Sequence, residues 1–177
     1  QLATYGMNSG PQGYRPLREA IAKLLETNAH MPTDPDDMLV TTGSNQGIDL
    51  VNNAFLSTGD TVIVEEVCYA SSLSRLRYLG VNYVLIDIDE DGMNIAQLDQ
   101  VLADLKSKGS QAKYIYTIPT IQNPSGTIMS VEKRQKMLNL ARKYGVPIFE
   151  DDCYSDLTWD GTRPPTIRSM DDAGQVI

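Results

Sequence analysis

Apolar positions along the chain follow two alternating periods. Residues 15–27 carry Leu17, Ile21, Leu24 and Leu25 on one helical face, with Pro16 in the first turn, where a missing N–H costs nothing. Residues 38–42 predict a short strand, and residues 45–56 a helix that stops at Thr58-Gly-Asp60. Residues 61–64 are a continuous apolar run, the form of a strand buried on both faces. Further on, the pattern predicts helices at 71–79, 95–105 and 131–144 and strands at 83–88, 114–118 and 146–149, with a tight turn at Asp89-Glu-Asp-Gly92. Residues 172–177 read as a turn and the first residues of another strand, at the end of a polar loop over 159–175.

Helices alternating with strands across short turns are the sequence form of stacked βαβ units. The expected fold is therefore α/β, a three-layer sandwich around a mostly parallel sheet. We divide it into an N-terminal loop and helix over 1–30 and a βαβ core over 31–177. With 177 residues, 41% of them hydrophobic, the chain is long enough for one sizeable core. Fifteen basic against 23 acidic residues leave a net charge of −8 with no basic run, so neither nucleic acid nor an anionic membrane is an expected partner. No apolar stretch approaches the roughly 18 residues that span a bilayer, and a soluble, cytoplasmic protein is expected. Cys68, Cys153 and the single His30 lie too far apart for metal-ligand spacing, so reduced thiols and no metal are expected. Gln1 replaces an initiator Met and the last strand has only begun at Ile177, so both ends read as cuts in a longer protein.

Ligands in parallel sheets gather at the carboxyl ends of the strands. The first predicted strand ends in Thr41-Thr-Gly-Ser-Asn-Gln46 and runs straight into a helix, so backbone N–H groups and the positive end of the helix dipole can cradle a phosphate; Ser44 could equally be a plain helix cap. The Gly-x-Gly-x-x-Gly spacing of a dinucleotide site is absent. The second ends in Glu65-Glu-Val-Cys-Tyr69, whose tyrosine could stack on a flat ring or pack on its own core. After the next comes Ile118-Pro-Thr-Ile-Gln-Asn-Pro-Ser-Gly126, a turn that would present the Asn123 amide as a donor or serve as a turn only. The last runs into Glu150-Asp-Asp-Cys-Tyr154, where three adjacent carboxylates call for a cationic or proton-bearing partner, or cap the turn under solvent screening. A phosphate cradle, a stacking ring, an amide donor and a carboxylate at one edge suit a phosphorylated heteroaromatic ring.

These runs, with Tyr5-Gly6 and Gly13-Tyr-Arg-Pro-Leu-Arg-Glu-Ala-Ile-Ala22 before them, resemble the motif series of the class I/II pyridoxal-phosphate-dependent aminotransferases, the aspartate-aminotransferase-like family of fold type I, in the family's order and over nearly the whole chain. The resemblance implies the large, cofactor-binding domain, incomplete on its C-terminal side and without the small C-terminal domain. It implies pyridoxal 5'-phosphate as cofactor. Ser44 and Asn45 match the positions that bind its phosphate, Tyr69 the ring-stacking aromatic, and Asn123 the asparagine on the ring's 3-oxygen. The family's Asp-x-x-Tyr spacing selects Asp151 as partner of the pyridine nitrogen, with Tyr154 joining Asn123 at the 3-oxygen. Tyr5 matches the tyrosine that reaches the phosphate of a neighbouring subunit, although the stretch from Tyr5 to Gly13 is longer than the family's loop.

The activity implied is transfer of an amino group between an amino acid and a 2-oxo acid by a homodimeric complete protein. The Schiff-base lysine of the family is expected beyond Ile177, so no catalytic residue is assigned within the chain and the segment alone is expected to be inactive. Lys23, Lys106, Lys108, Lys113, Lys133, Lys136 and Lys143 fall in helices, at their ends or at a strand start, and read as solvated surface. Two alternatives stay open. Aminotransferase-like effector domains of transcription regulators also suit Gly10-Pro-Gln-Gly-Tyr-Arg-Pro-Leu-Arg18, and a lyase or decarboxylase can use the same scaffold. The Glu-Asp-Asp-Cys-Tyr form leans toward the branch with aromatic, 2-aminoadipate and branched-chain enzymes.

Overall fold

The computed structural model describes residues 10–177. The chain divides into two compact units, one up to Gly47 and one from Ile48 to Ile177. Among the described residues no helix is long and apolar enough to cross a membrane.

In the first unit, α1 (Arg15–Ala29) starts with Pro16 in its first turn and ends at His30, whose left-handed backbone returns its N–H to Leu25 O. Its predicted apolar face is only half realised: Ile21 and Leu25 are half-buried, while Leu17 and Leu24 are exposed. What α1 buries instead is Arg18, whose guanidinium bonds Gly13 O, Pro35 O and Asp36. The strand predicted at 38–42 does not form. Met38 is extended, but the segment joins no ladder and Val40 N–H meets only Gln12 O at 2.8 Å. Extended sequence becomes a strand only beside a partner that satisfies its backbone. The first turn of α2 (Ser44–Phe55) closes the unit.

The second unit is built on four parallel strands in the order β2-β1-β5-β6, where β1 is Thr61–Glu65, β2 Asn82–Ile86, β5 Ile115–Thr117 and β6 Ile148–Glu150. Ile63, Ile115 and Ile148 stand in register across β1, β5 and β6. They share a core with Leu98 and Leu102 of α4 (Ile95–Ser107) and Met137, Leu138 and Ala141 of α5 (Val131–Tyr144). A second core joins Val62, Val64, Tyr114, Tyr116 and Ile118 to Leu76 of α3 (Ala70–Tyr78) and Val51 of α2. Alternation of side chains along each strand feeds both cores, which gives the expected three layers. Past Asp171, whose carboxylate takes the N–H groups of Ala173, Gln175 and Val176, the chain bridges in parallel to β6 through Val176 and Ile148.

The strand predicted at 83–88 breaks after Ile86, because the Asp87 N–H turns to Gln97 Oε1 at 2.7 Å. Ile88–Asp89 (β3) then pairs with Gly92–Met93 (β4) as a small hairpin. Lys133 locks it, with Nζ 2.7 Å from both Asp89 and Asp91 and its side chain only 15% exposed. This corrects the reading of that lysine as solvated surface: the hairpin turn brings two carboxylates to it. Gly92 has φ +107, and a Cβ there would lie 2.8 Å from the Met129 side chain and 2.9 Å from its Cα. Gly92→Ala is expected to lower stability by roughly 2 kcal/mol or more in chemical denaturation, from left-handed strain plus overpacking.

Candidate active site

Asp151 follows β6, and its N–H extends the ladder to Thr117 O at 2.9 Å, which carries the residue to the carboxyl edge of the sheet. Its half-buried carboxylate accepts a 2.8 Å hydrogen bond at Oδ2 from the hydroxyl of Tyr116, a β5 residue only 2% exposed. Ser72 of α3 donates in turn to that hydroxyl at 3.3 Å. The Tyr116 ring packs edge-on against Phe149, with centroids 5.5 Å apart, so the phenol is held by packing as well as by bonds.

The three adjacent carboxylates are divided among three different partners. Glu150 accepts the N–H groups of Ile167 and Arg168, each at 2.8 Å. Burial still pushes its carboxyl up to about 7, against the pull of those two bonds. Asp152 pairs with Arg163 at 3.1 Å and accepts from Ser155 Oγ. Burial raises it to about 6, with Arg163 and Arg134 opposing. Asp151 has Tyr116. The repulsion expected from the sequence is thus relieved by backbone dipoles, a guanidinium and a phenol.

Asn123 sits half-buried in the turn after β5, its amide 3.4 Å from the hydroxyl of Tyr154. The turn is tied down by its neighbour Gln122, which donates to Glu65 Oε2 at 3.0 Å and Val67 O at 2.6 Å and accepts from Ser125. Glu65, at the end of β1 and 1% exposed, also takes Thr117 Oγ1 at 2.6 Å. Burial raises its carboxyl, while the bonds from Thr117, Gln122 and Ile118 pull it back. One buried carboxylate therefore links the Asn123 turn to the segment that leads into Tyr69. Tyr69 precedes α3 and packs, half-buried, against the same core cluster as Tyr154.

Ser44 and Asn45 belong to the other unit. Gly43 has φ +89, α2 begins at Ser44, and both residues are exposed on its first turn, at the positive end of the helix dipole. Gln46 closes the turn by accepting from the N–H and hydroxyl of Thr42 at 2.6 and 2.9 Å. Tyr5 lies outside the described residues. The structure brings together Asp151 with Tyr116 and Asn123 with Tyr154.

Sequence reasoning missed Tyr116, Ser72, Gln122 and Arg134. A signal for Tyr116 existed: tyrosines at alternate places in a buried strand need a partner for each hydroxyl. Arg134 is fully buried and donates to the carbonyls of Met129, Pro119 and Pro165 and to Thr120 Oγ1, all at 2.8–3.1 Å. Its spacing with Met137, Leu138 and Ala141 on one helix face was the available clue.

A parallel sheet with a carboxylate held at its carboxyl edge and an amide–phenol pair beside it defines an α/β domain suited to a planar, hydrogen-bonding ligand. The family model for aminotransferase class I and II matches residues 5–176, and the chain belongs to that family. It is 36% identical over its whole length to aromatic-amino-acid aminotransferase 1 of Thermococcus litoralis, of which it covers 42%. Over 166 residues, 93% of the chain, it is 36% identical to an HTH-type transcriptional regulator of Escherichia coli, of which it covers 34%. The solved structure of Pyrococcus horikoshii kynurenine aminotransferase, in complex with PMP, superposes with a TM-score of 0.89 at 36% identity, over 94% of this chain and 41% of that one. The chain thus spans about two fifths of the length of these aminotransferases.

Proposed function

We propose that the complete protein transfers an amino group between an amino acid and a 2-oxo acid with pyridoxal 5'-phosphate, as a homodimer. The reading is carried by one observation: a carboxylate, Asp151, held at the sheet's carboxyl edge by a phenol rather than by a cation. A carboxylate without a cationic partner can pair with a protonated aromatic nitrogen. The Asn123 amide and Tyr154 hydroxyl, 3.4 Å apart, supply two donors for an oxygen on such a ring, so the donor set fits the cofactor.

Bound pyridoxal phosphate supplies a ring that draws electrons from the substrate's Cα–H bond when its nitrogen carries a proton. In this reading Asp151 holds that proton at the nitrogen, Asn123 and Tyr154 donate to the 3-oxygen and set the ring's tilt, and Tyr69 lies against the ring face. Ser44, Asn45 and the first turn of α2 hold the phosphate, and Tyr5 reaches the phosphate of the neighbouring subunit. Aromatic amino acids are the preferred donors, in line with the Thermococcus relative.

The test is product analysis with the complete protein, cofactor and 2-oxoglutarate. A keto acid formed from an aromatic donor, with glutamate appearing in equal amount, is the expected result. Free ammonia or carbon dioxide instead would assign a lyase or decarboxylase and overturn the proposal. The 36% identity to a transcription regulator supports a second reading, a cofactor-binding effector domain. Cofactor binding with no turnover of any donor would decide for it.

A further inference from the structure

The contact that holds Asp151 has a chemical direction. Ser72 Oγ donates to the Tyr116 hydroxyl at 3.3 Å, so the one phenolic hydrogen is directed to Asp151 Oδ2, 2.8 Å away. Burial, and secondarily the Asp151 charge, push the Tyr116 hydroxyl far above its usual value, so it stays a donor across the working range. Asp151 thus takes the phenolic hydrogen at Oδ2, and its carboxylate is also within hydrogen-bond reach of the Cys153 thiol.

Around this contact the other titratable groups are acids. Cys153 beside Asp151 is pushed up to about 11 by burial and by the Asp151 charge, and Glu65, Asp152 and Cys68 contribute further negative or neutral groups. Arg134 and Arg163 act on Asp152. Among the described residues no cation is hydrogen-bonded to Asp151; its donors are the Tyr116 hydroxyl and the weaker Cys153 thiol. A half-buried carboxylate next to an aromatic nitrogen can form either an ion pair or a neutral pair with the proton on oxygen. A hydrogen bond to the carboxylate shifts that balance toward the ion pair.

We infer that Tyr116, oriented by Ser72, is a positioning residue that keeps Asp151 a carboxylate, so that the proton shared with the cofactor's ring nitrogen resides on nitrogen. The inference rests on the assignment of Asp151 to that nitrogen. It needs no new reactant: one proton lies on one of two atoms, and the Tyr116 bond decides which.

The experiment uses the complete protein loaded with cofactor labelled with 15N in the ring. Tyr116→Phe keeps the ring packing and removes only the hydroxyl. Its ring-nitrogen NMR signal should move toward the unprotonated position, with kcat down about tenfold or more and KM for the amino donor within about twofold. Ser72→Ala should shift the same signal in the same direction by less, which keeps the test open if Tyr116→Phe folds poorly. An unmoved nitrogen signal in both variants overturns the inference, even if kcat falls, since packing damage alone would slow turnover. Asp151→Asn separates the layers. If it displaces the nitrogen signal and Tyr116→Phe does not, only the role of Tyr116 fails; if Asp151→Asn leaves the signal in place, the assignment of Asp151 fails with it.

Discussion

Asp151→Asn in the complete protein is expected to reduce amino-group transfer by about 10²- to 10³-fold, the scale of losing one preorganised electrostatic partner. The substitution is nearly isosteric, and the new carbonyl oxygen can still accept the Tyr116 hydroxyl, so the contact that places the side chain survives. What disappears is the negative charge. An amide cannot stabilise a protonated ring nitrogen, and electron withdrawal from the substrate weakens accordingly. The loss should fall on kcat more than on KM, because the interaction matters most as charge develops. Asp152→Asn serves as the contrast. Asp152 is paired with Arg163 and Ser155, so its replacement should perturb stability while leaving turnover far less affected.

Arg134→Met is expected to destabilise the protein by roughly 4 kcal/mol, read as a lower denaturation midpoint at unchanged slope. The side chain is fully buried and makes four hydrogen bonds, three of them to backbone carbonyls. Methionine fills much of the volume and none of the bonding, so three backbone carbonyls each lose the Arg134 hydrogen bond, Pro119 O keeping only the Met129 N–H. Two of these, Pro119 O and Met129 O, flank the turn that carries Asn123. Pro165 O lies just before the N–H groups that bond Glu150. Cofactor affinity should therefore fall together with stability, as measured by equilibrium dialysis on the folded variant.

The helices and the central strand β1 were legible because their periods are long and unmixed: α5 spans the residues its pattern predicts, and the apolar run at 61–64 is buried on both faces of the sheet. The segment 38–42 shows the limit. Its composition suits a strand, but a strand is a property of two segments, and pattern reports on one. Short elements fared similarly at β2, where a single glutamine ten residues on captured the Asp87 N–H and ended the ladder.

For the candidate site, the polar residues at strand ends could be read in order, since topology alone brings those ends to one edge. Their supports could not. Tyr116 meets Asp151 across 35 residues of chain and Ser72 meets Tyr116 across 44, distances at which residue type carries no pairing information. Arg134 runs against the usual exposure of arginine, and its burial follows from carbonyls that face it only once two loops have folded over α5.

Of all measurements, a crystal structure of the complete protein with pyridoxal phosphate bears most directly on the assignment of Asp151. An Asp151 carboxylate oxygen is expected about 2.7 Å from the pyridine nitrogen, with Tyr116 still on Oδ2. A ring nitrogen facing Asp152, or open to solvent with Asp151 turned away, would contradict it.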